Sequence, residues 1–154
     1  MFPMSLRYFE DLSIGETREL AGKTVTKSEI IEFAQKYDPQ PFHLDERAAE
    51  GSVFGGIVAP GWMTVCILNR LIVDGFIRET ANMGGRGADD VRWHRPLRPE
   101  TTVTGIIEVL SKTPSDRHSD RGYVTYEFCA LNDKDEKLLS MTAELLVRRR
   151  ETAG

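Results

Sequence analysis

Apolar residues in the first half of the chain recur at helical spacing. A short amphipathic helix is predicted over residues 26–37, where a capping-box sequence runs from Thr26 to Glu29. The helix is expected to end at Asp38, because a following proline disfavours helical conformation in the residue before it. Its apolar positions are Ile30, Phe33, Ala34 and Tyr37.

The longest apolar stretch runs from residue 56 to residue 73. It is close to the ~20 residues that a membrane-spanning helix needs, but Asn69 and Arg70 interrupt it and glycines and a proline crowd its start. The sequence therefore predicts a buried helix that begins near Pro60 or Gly61. Because apolar residues cover most of its circumference, we expect it to be the central helix of the fold.

From residue 86 onward the apolar residues alternate with polar ones, which is the pattern of half-buried strands. Residues 113–122 and 132–136 are rich in turn-forming residues, so the last three strands are expected to form antiparallel hairpins. An earlier strand is predicted at residues 16–25. The four later strands contain Val91 and Trp93, residues 103–109, residues 124–130 and residues 139–147.

Composition fits one globular domain over residues 1–154, since 40% of the residues are hydrophobic and 29% are charged. The net charge of −4 gives no basic field for nucleic acid or an anionic membrane. Cys66 and Cys129 lie in apolar segments without the spacing of a metal site or a disulfide framework, so two buried thiols are expected. The N-terminus lacks the pattern of a secretory signal, and we expect a cytoplasmic protein.

The candidate chemistry lies between Tyr37 and Asp45, where Asp38 and His43 flank two prolines. Prolines fix the backbone and hold the preceding residues out of helix, so the peptide between the two side chains is stiff and can direct both at one point. An Asp and a His that converge can move a proton in either direction near neutral pH.

Two other interpretations of this segment remain open. His43 can be a core histidine and Asp38 a turn former, as most residues of these types are in such loops. Alternatively, Asp38, His43 and Asp45 can ligate a metal, although no fourth ligand with suitable spacing is present and no metal is expected.

The order of elements is one strand, a short helix, an irregular loop, a long apolar helix and four antiparallel strands. A curved sheet around the long helix would cover much of its surface, which is the α+β layout of a hot dog fold. Three motifs in this order resemble the MaoC-like dehydratases, relatives of the R-specific enoyl-CoA hydratases, over about residues 8–149. They are Asp38 to Asp45 with Gln40 in place of the usual Asn, Phe54 to Thr64, and Val91 to Pro99 followed by Glu100-Thr101 in place of Gly-Asp.

The resemblance implies reversible addition of water to a trans-2-enoyl thioester, with Asp38 and His43 handling the protons. Gly61, at the start of the long helix, is expected to present a backbone N–H to the thioester oxygen, because a helix N-terminus favours negative charge and the missing side chain allows close approach. The resemblance also places Gln40, Pro41, Pro60 and Trp62 at the substrate site.

No resident cofactor is implied, since CoA or an acyl carrier is part of the substrate. The resemblance further implies a homodimer or a larger homo-oligomer, with the acyl tunnel between two subunits. Trp62 and Trp93 are expected to pack in the core. Two other functions remain open for this layout: a hot dog acyl-CoA thioesterase, and a non-catalytic domain that binds acyl thioesters.

Overall fold

The computed structural model describes residues 5–151. Residues 1–4, on which part of the expectation about a secretory signal rests, and residues 152–154 lie outside the described range. Two short 3-10 helices lie at Phe9–Asp11 and Ile77–Glu79. The helices are α1 (Lys27–Tyr37), α2 (Pro41–Leu44), α3 (Glu46–Glu50) and α4 (Gly61–Gly75). The strands are β1 (Thr17–Val25), β2 (Asn82–Trp93), β3 (Thr101–Pro114), β4 (Arg121–Leu131) and β5 (Lys137–Arg148).

The strands form one antiparallel sheet in the order β1-β3-β4-β5-β2. The hairpins predicted for the last three strands are confirmed, because β3 pairs with β4 and β4 with β5. β2 begins earlier than the alternation indicated and pairs with β5, so that β1 and β2 are the two edges of the sheet. The sheet packs against α4, which confirms the hot dog fold. Within residues 5–151, no helix is long and apolar enough to cross a membrane.

α4 begins at Gly61, as predicted, and one of its faces lies in the core. A fully buried aliphatic side chain stabilises a fold by about 1.5–3 kcal/mol relative to an exposed one, so this face holds the helix on the sheet. The buried residues of the helix are Met63, Thr64, Ile67, Leu68, Leu71 and Ile72. The predicted burial of this helix is only partial within this chain, since Trp62, Cys66, Asn69 and Arg70 are exposed.

Three side chains that were predicted to be buried are exposed. Trp62 and Trp93 are 61% and 44% exposed, and their rings pack edge to face with centroids 5.3 Å apart. Cys66 is exposed as well, whereas Cys129 is buried as predicted and burial raises the pKa of its thiol. Apolar character alone indicated the core, but Trp62 and Cys66 lie on the face of α4 opposite its buried residues, and Trp93 is the last residue of β2.

The segment between α1 and α4, predicted to be an irregular loop, contains two short helices. Pro41 occupies the first turn of α2, where a missing N–H costs no intrahelical hydrogen bond. Asp45 then caps α3 by accepting a hydrogen bond from the Ala48 N–H at 2.8 Å. Asp45, weighed above as a metal ligand, is therefore a helix cap in this structure.

Candidate active site

Asp38 and His43 come together at the end of α1. The Asp38 N–H donates to the Ala34 carbonyl at 2.9 Å and ends the helix, and the following Pro39 and Gln40 lead into α2, on which His43 lies. Asp38 Oδ2 lies 3.3 Å from His43 Nε2. The short, proline-flanked peptide thus brings the two side chains to one point, as predicted from the sequence.

A backbone carbonyl fixes the tautomer of His43. The side chain is only 5% exposed, and its Nδ1 lies 2.6 Å from the carbonyl oxygen of Val58. Because a carbonyl oxygen only accepts hydrogen bonds, Nδ1 carries a hydrogen and donates it to Val58. Nε2, which faces Asp38, is therefore the nitrogen that gains and loses a proton.

Asp38 has a second partner in Gln40. The side-chain amide of Gln40 donates to Asp38 Oδ1 at 2.6 Å, which leaves Oδ2 for His43. Oδ2 and Nε2 are therefore the two atoms between which a proton can pass.

The pair opens into a cavity of about 430 Å³, which is within the size range of small-molecule sites. Its walls come from the segment around α2, the residues that precede α4, the first turn of α4, and the segment after β2. The lining residues are Asp38, Gln40, Phe42, His43, Phe54, Val58, Ala59, Gly61, Trp62, Thr64, Trp93, His94, Arg95, Pro96 and Leu97.

Gly61 and Trp62 are among the lining residues, whereas Pro41 and Pro60 are not. Pro41 is in the first turn of α2 and Pro60 is the N-cap of α4, so both act on the backbone around the cavity. Within residues 5–151, no acceptor receives the Gly61 N–H, because the first amides of a helix have no partner inside it. This amide is available as a donor.

Gly61 also accommodates an indole ring. Trp93 Nε1 donates to the Gly61 carbonyl at 2.8 Å, and a Cβ built on Gly61 would lie 2.8 Å from the Trp93 ring. Real Cβ atoms do not approach a neighbour this closely, so the position requires glycine while Trp93 keeps its place.

The sequence did not single out several lining residues. Thr64 lies one turn after Gly61, and its polar side chain is buried in α4. A polar residue within an apolar helix is the sequence signal that could have identified it. His94 is exposed, contacts Ser140 Oγ at 2.7 Å through Nε2, and lines the cavity together with Arg95. The described residues contain no group of three or more His, Cys, Asp or Glu that is arranged to hold a metal ion.

Comparison with known proteins gives a family match over most of the chain. Residues 10–128 match the model of the MaoC-like domain family. A MaoC-like dehydratase from Rhodospirillum rubrum has a crystal structure that superposes with a TM-score of 0.87 and 38% sequence identity, covering 94% of this chain and 99% of that one.

Two curated relatives have enzyme names. The 3-hydroxybutyryl-CoA dehydratase of Methylorubrum extorquens is 27% identical over 95% of this chain and 87% of its own length. The (R)-specific enoyl-CoA hydratase of Rhodospirillum rubrum is 28% identical over 73% of this chain and 76% of its own length. Both names describe the addition or removal of water at an acyl-CoA.

Proposed function

The chain belongs to the MaoC-like domain family, and from this membership we propose that it is a hydro-lyase that adds water reversibly to a trans-2-enoyl thioester. One observation carries the proposal: Asp38 Oδ2 and His43 Nε2 lie 3.3 Å apart at the wall of a cavity of ligand size. Hydration needs a base for the attacking water and an acid for the α-carbon, and this pair supplies one of each.

We assign the roles of the two groups as follows. The Asp38 carboxylate takes a proton from water, and the water oxygen forms a bond to the β-carbon of the enoyl group. The electron pair of the double bond moves toward the α-carbon and the thioester oxygen, and the α-carbon then receives the proton from His43 Nε2. Transfer of the new proton from Asp38 to His43 restores the starting state, because the two atoms are already in contact.

Negative charge on the thioester oxygen requires a donor in the same cavity. The Gly61 N–H is at the N-terminus of α4, where the helix dipole also favours an anion, and we assign the oxyanion to this amide. Trp62, Phe42 and Phe54 provide apolar surface for the acyl group. CoA or an acyl carrier enters as part of the substrate, and the chemistry requires no resident cofactor.

Incubation of the purified protein with a trans-2-enoyl-CoA and, separately, with a saturated acyl-CoA tests the proposal. We expect loss of the enoyl absorbance with no release of thiol, and formation of the same enoyl group from a 3-hydroxyacyl-CoA. Release of free thiol from either substrate would instead indicate a thioesterase. Binding without any turnover would indicate a domain that only holds acyl thioesters.

Replacing Gln40 by Ala is expected to lower kcat about tenfold or more and to leave KM nearly unchanged. The amide orients Asp38, and a hydrogen bond to a charged group contributes about 1.5–3 kcal/mol. Steady-state kinetics on an enoyl-CoA measure this, with the exposed Gln35→Ala on α1 as the matched control. A raised KM with an unchanged kcat would show instead that Gln40 only binds substrate.

A homodimer is expected at micromolar concentration. β2 is an open edge of the sheet, and Trp62 and Trp93 lie exposed together at its end, an arrangement that a second subunit would cover. Sedimentation velocity measures the mass directly, and an Asp89→Lys substitution on exposed β2 should weaken the association. A monomer across this concentration range would contradict the expected assembly.

A further inference from the structure

A second cavity adjoins the one that contains Asp38 and His43. Its volume is about 350 Å³, and it shares the lining residues Arg95 and Pro96 with the first, so the two cavities lie next to each other at these residues. The second cavity lies at the end of the sheet where β3 starts and where β4 turns into β5. Its other lining residues are Arg98, Thr101, Asn132, Asp133, Lys134, Glu136 and Leu138.

The acids of this second cavity already have partners. Glu136 accepts from Asn132 Nδ2 at 3.1 Å and lies 3.2 Å from Arg95 Nε, and these two groups hold the pKa of the Glu136 carboxyl below its ordinary value. Asp133 accepts from the Thr102 backbone N–H at 2.7 Å. Neither carboxylate therefore needs a cation from outside the protein.

Two cations of the second cavity have no carboxylate partner within residues 5–151. Arg98 uses Nη2 to donate to the Phe54 carbonyl at 2.8 Å, which fixes the guanidinium while its other N–H groups stay free. Lys134 is exposed in the turn between β4 and β5, where its charge also helps to lower the pKa of the Glu136 carboxyl, but it forms no ion pair within 4.0 Å with the described residues. An anion with several oxygen acceptors fits such a pair of donors.

We propose that Arg98 and Lys134 bind the phosphate of the substrate's phosphopantetheine arm, which extends from the first cavity past Arg95 into the second while its thioester end is beside Asp38 and His43. The proposal rests on the proposed function for the position of the thioester end. A pantetheine arm carries its phosphate at the end far from the thioester. Arg98 and Lys134 line the cavity next to the one that contains Asp38 and His43. Arg95, which lines both cavities, remains paired with Glu136.

Two kinds of carrier share this chemistry, namely CoA and the phosphopantetheine arm of a carrier protein. Isothermal titration calorimetry with pantetheine, 4′-phosphopantetheine and CoA tests the site without any turnover. We expect 4′-phosphopantetheine to bind about tenfold or more tightly than pantetheine, the scale of one charge-assisted hydrogen bond. Tighter binding of CoA than of 4′-phosphopantetheine would assign the nucleotide carrier, and equal binding would assign the arm of a carrier protein.

The variants Arg98→Gln and Lys134→Gln should each weaken 4′-phosphopantetheine about tenfold and leave pantetheine unchanged. Glutamine keeps an N–H donor for the Phe54 carbonyl, so the first of these preserves the local structure. Arg117→Gln is the control of equal charge, because Arg117 is exposed in the turn between β3 and β4, at the opposite end of the sheet. Equal affinities for pantetheine and 4′-phosphopantetheine, or a control variant as weak as the other two, would overturn the proposal.

Failure of this site and failure of the proposed function are distinguishable. An enoyl thioester of N-acetylcysteamine has the reacting groups but no phosphate, so its hydration reports the chemistry alone. Hydration of this compound without any phosphate preference in binding would refute the site and leave the hydratase in place. Phosphate-dependent binding without hydration of any enoyl thioester would refute the hydratase and leave the site in place.

Discussion

Replacing Asp38 by Asn is expected to lower turnover of an enoyl thioester by about 10²–10⁴-fold, the usual contribution of a positioned acid or base. An amide in place of the carboxylate cannot take a proton from water, while its size and its contact with Gln40 are preserved. His43→Gln should cause a loss of similar size. The double variant should be little worse than either single variant, because the two groups act as one unit.

Stability measurements separate this catalytic role from a structural one. His43 is buried and donates to the Val58 carbonyl, so removing the ring leaves that acceptor unpaired and should cost about 1–3 kcal/mol. Asp38→Asn should leave the thermal midpoint nearly unchanged. Asp45→Asn is the matched control, since an amide still caps α3 and the carboxyl is outside the cavity lining. Folded Asp38→Asn protein with wild-type turnover would remove Asp38 from the chemistry.

The second large effect concerns the backbone amide of Gly61. A proline at this position removes the N–H, and the first position of a helix tolerates proline well. Loss of one oxyanion donor typically lowers kcat by about 10²–10³-fold. We therefore expect Gly61→Pro to be slower than Gly61→Ala by about this factor.

Gly61→Ala is the control because alanine and proline both introduce a Cβ near Trp93 and only proline lacks the donor. The added Cβ would lie 2.8 Å from the indole, so both variants must displace Trp93, and alanine should lose some activity by crowding. Comparing the two at equal folded fraction, by circular dichroism and steady-state rates, isolates the N–H. Equal turnover of Gly61→Pro and Gly61→Ala would show that the amide does not stabilise the transition state.

Local patterns in the sequence were sufficient to predict α1, α4 and the last three strands, because each of these elements has a clear period of apolar residues that shows which face is buried. β1 was predicted as well, although its two buried residues, Leu20 and Val25, do not alternate with exposed ones at a period of two. The approach of Asp38 to His43 was also predictable, since two prolines restrict the short peptide between them. The two helical turns at α2 and α3 were missed because prolines were taken as loop signals, although proline also favours the first turn of a helix.

Features that depend on contacts between distant segments were not accessible from the sequence. Trp62 and Trp93 are exposed because Trp62 lies in the first turn of α4 and Trp93 at the end of β2, and the residue type alone does not show this position. The Val58 carbonyl that fixes the tautomer of His43 lies in a different segment of the chain. Arg98 and Lys134 both line the second cavity. They meet there because the pairing of β3, β4 and β5 brings the start of β3 beside the turn after β4.

Hydration of a trans-2-enoyl thioester in D₂O, followed by mass spectrometry of the product, tests the central claim most directly. If Asp38 and His43 deliver solvent protons, wild-type protein should form the 3-hydroxyacyl thioester with a deuterium on the α-carbon, and folded Asp38→Asn protein should form almost none in the same time. A wild-type protein that leaves the enoyl thioester unchanged, or an Asp38→Asn protein that incorporates deuterium at the wild-type rate, would contradict the account.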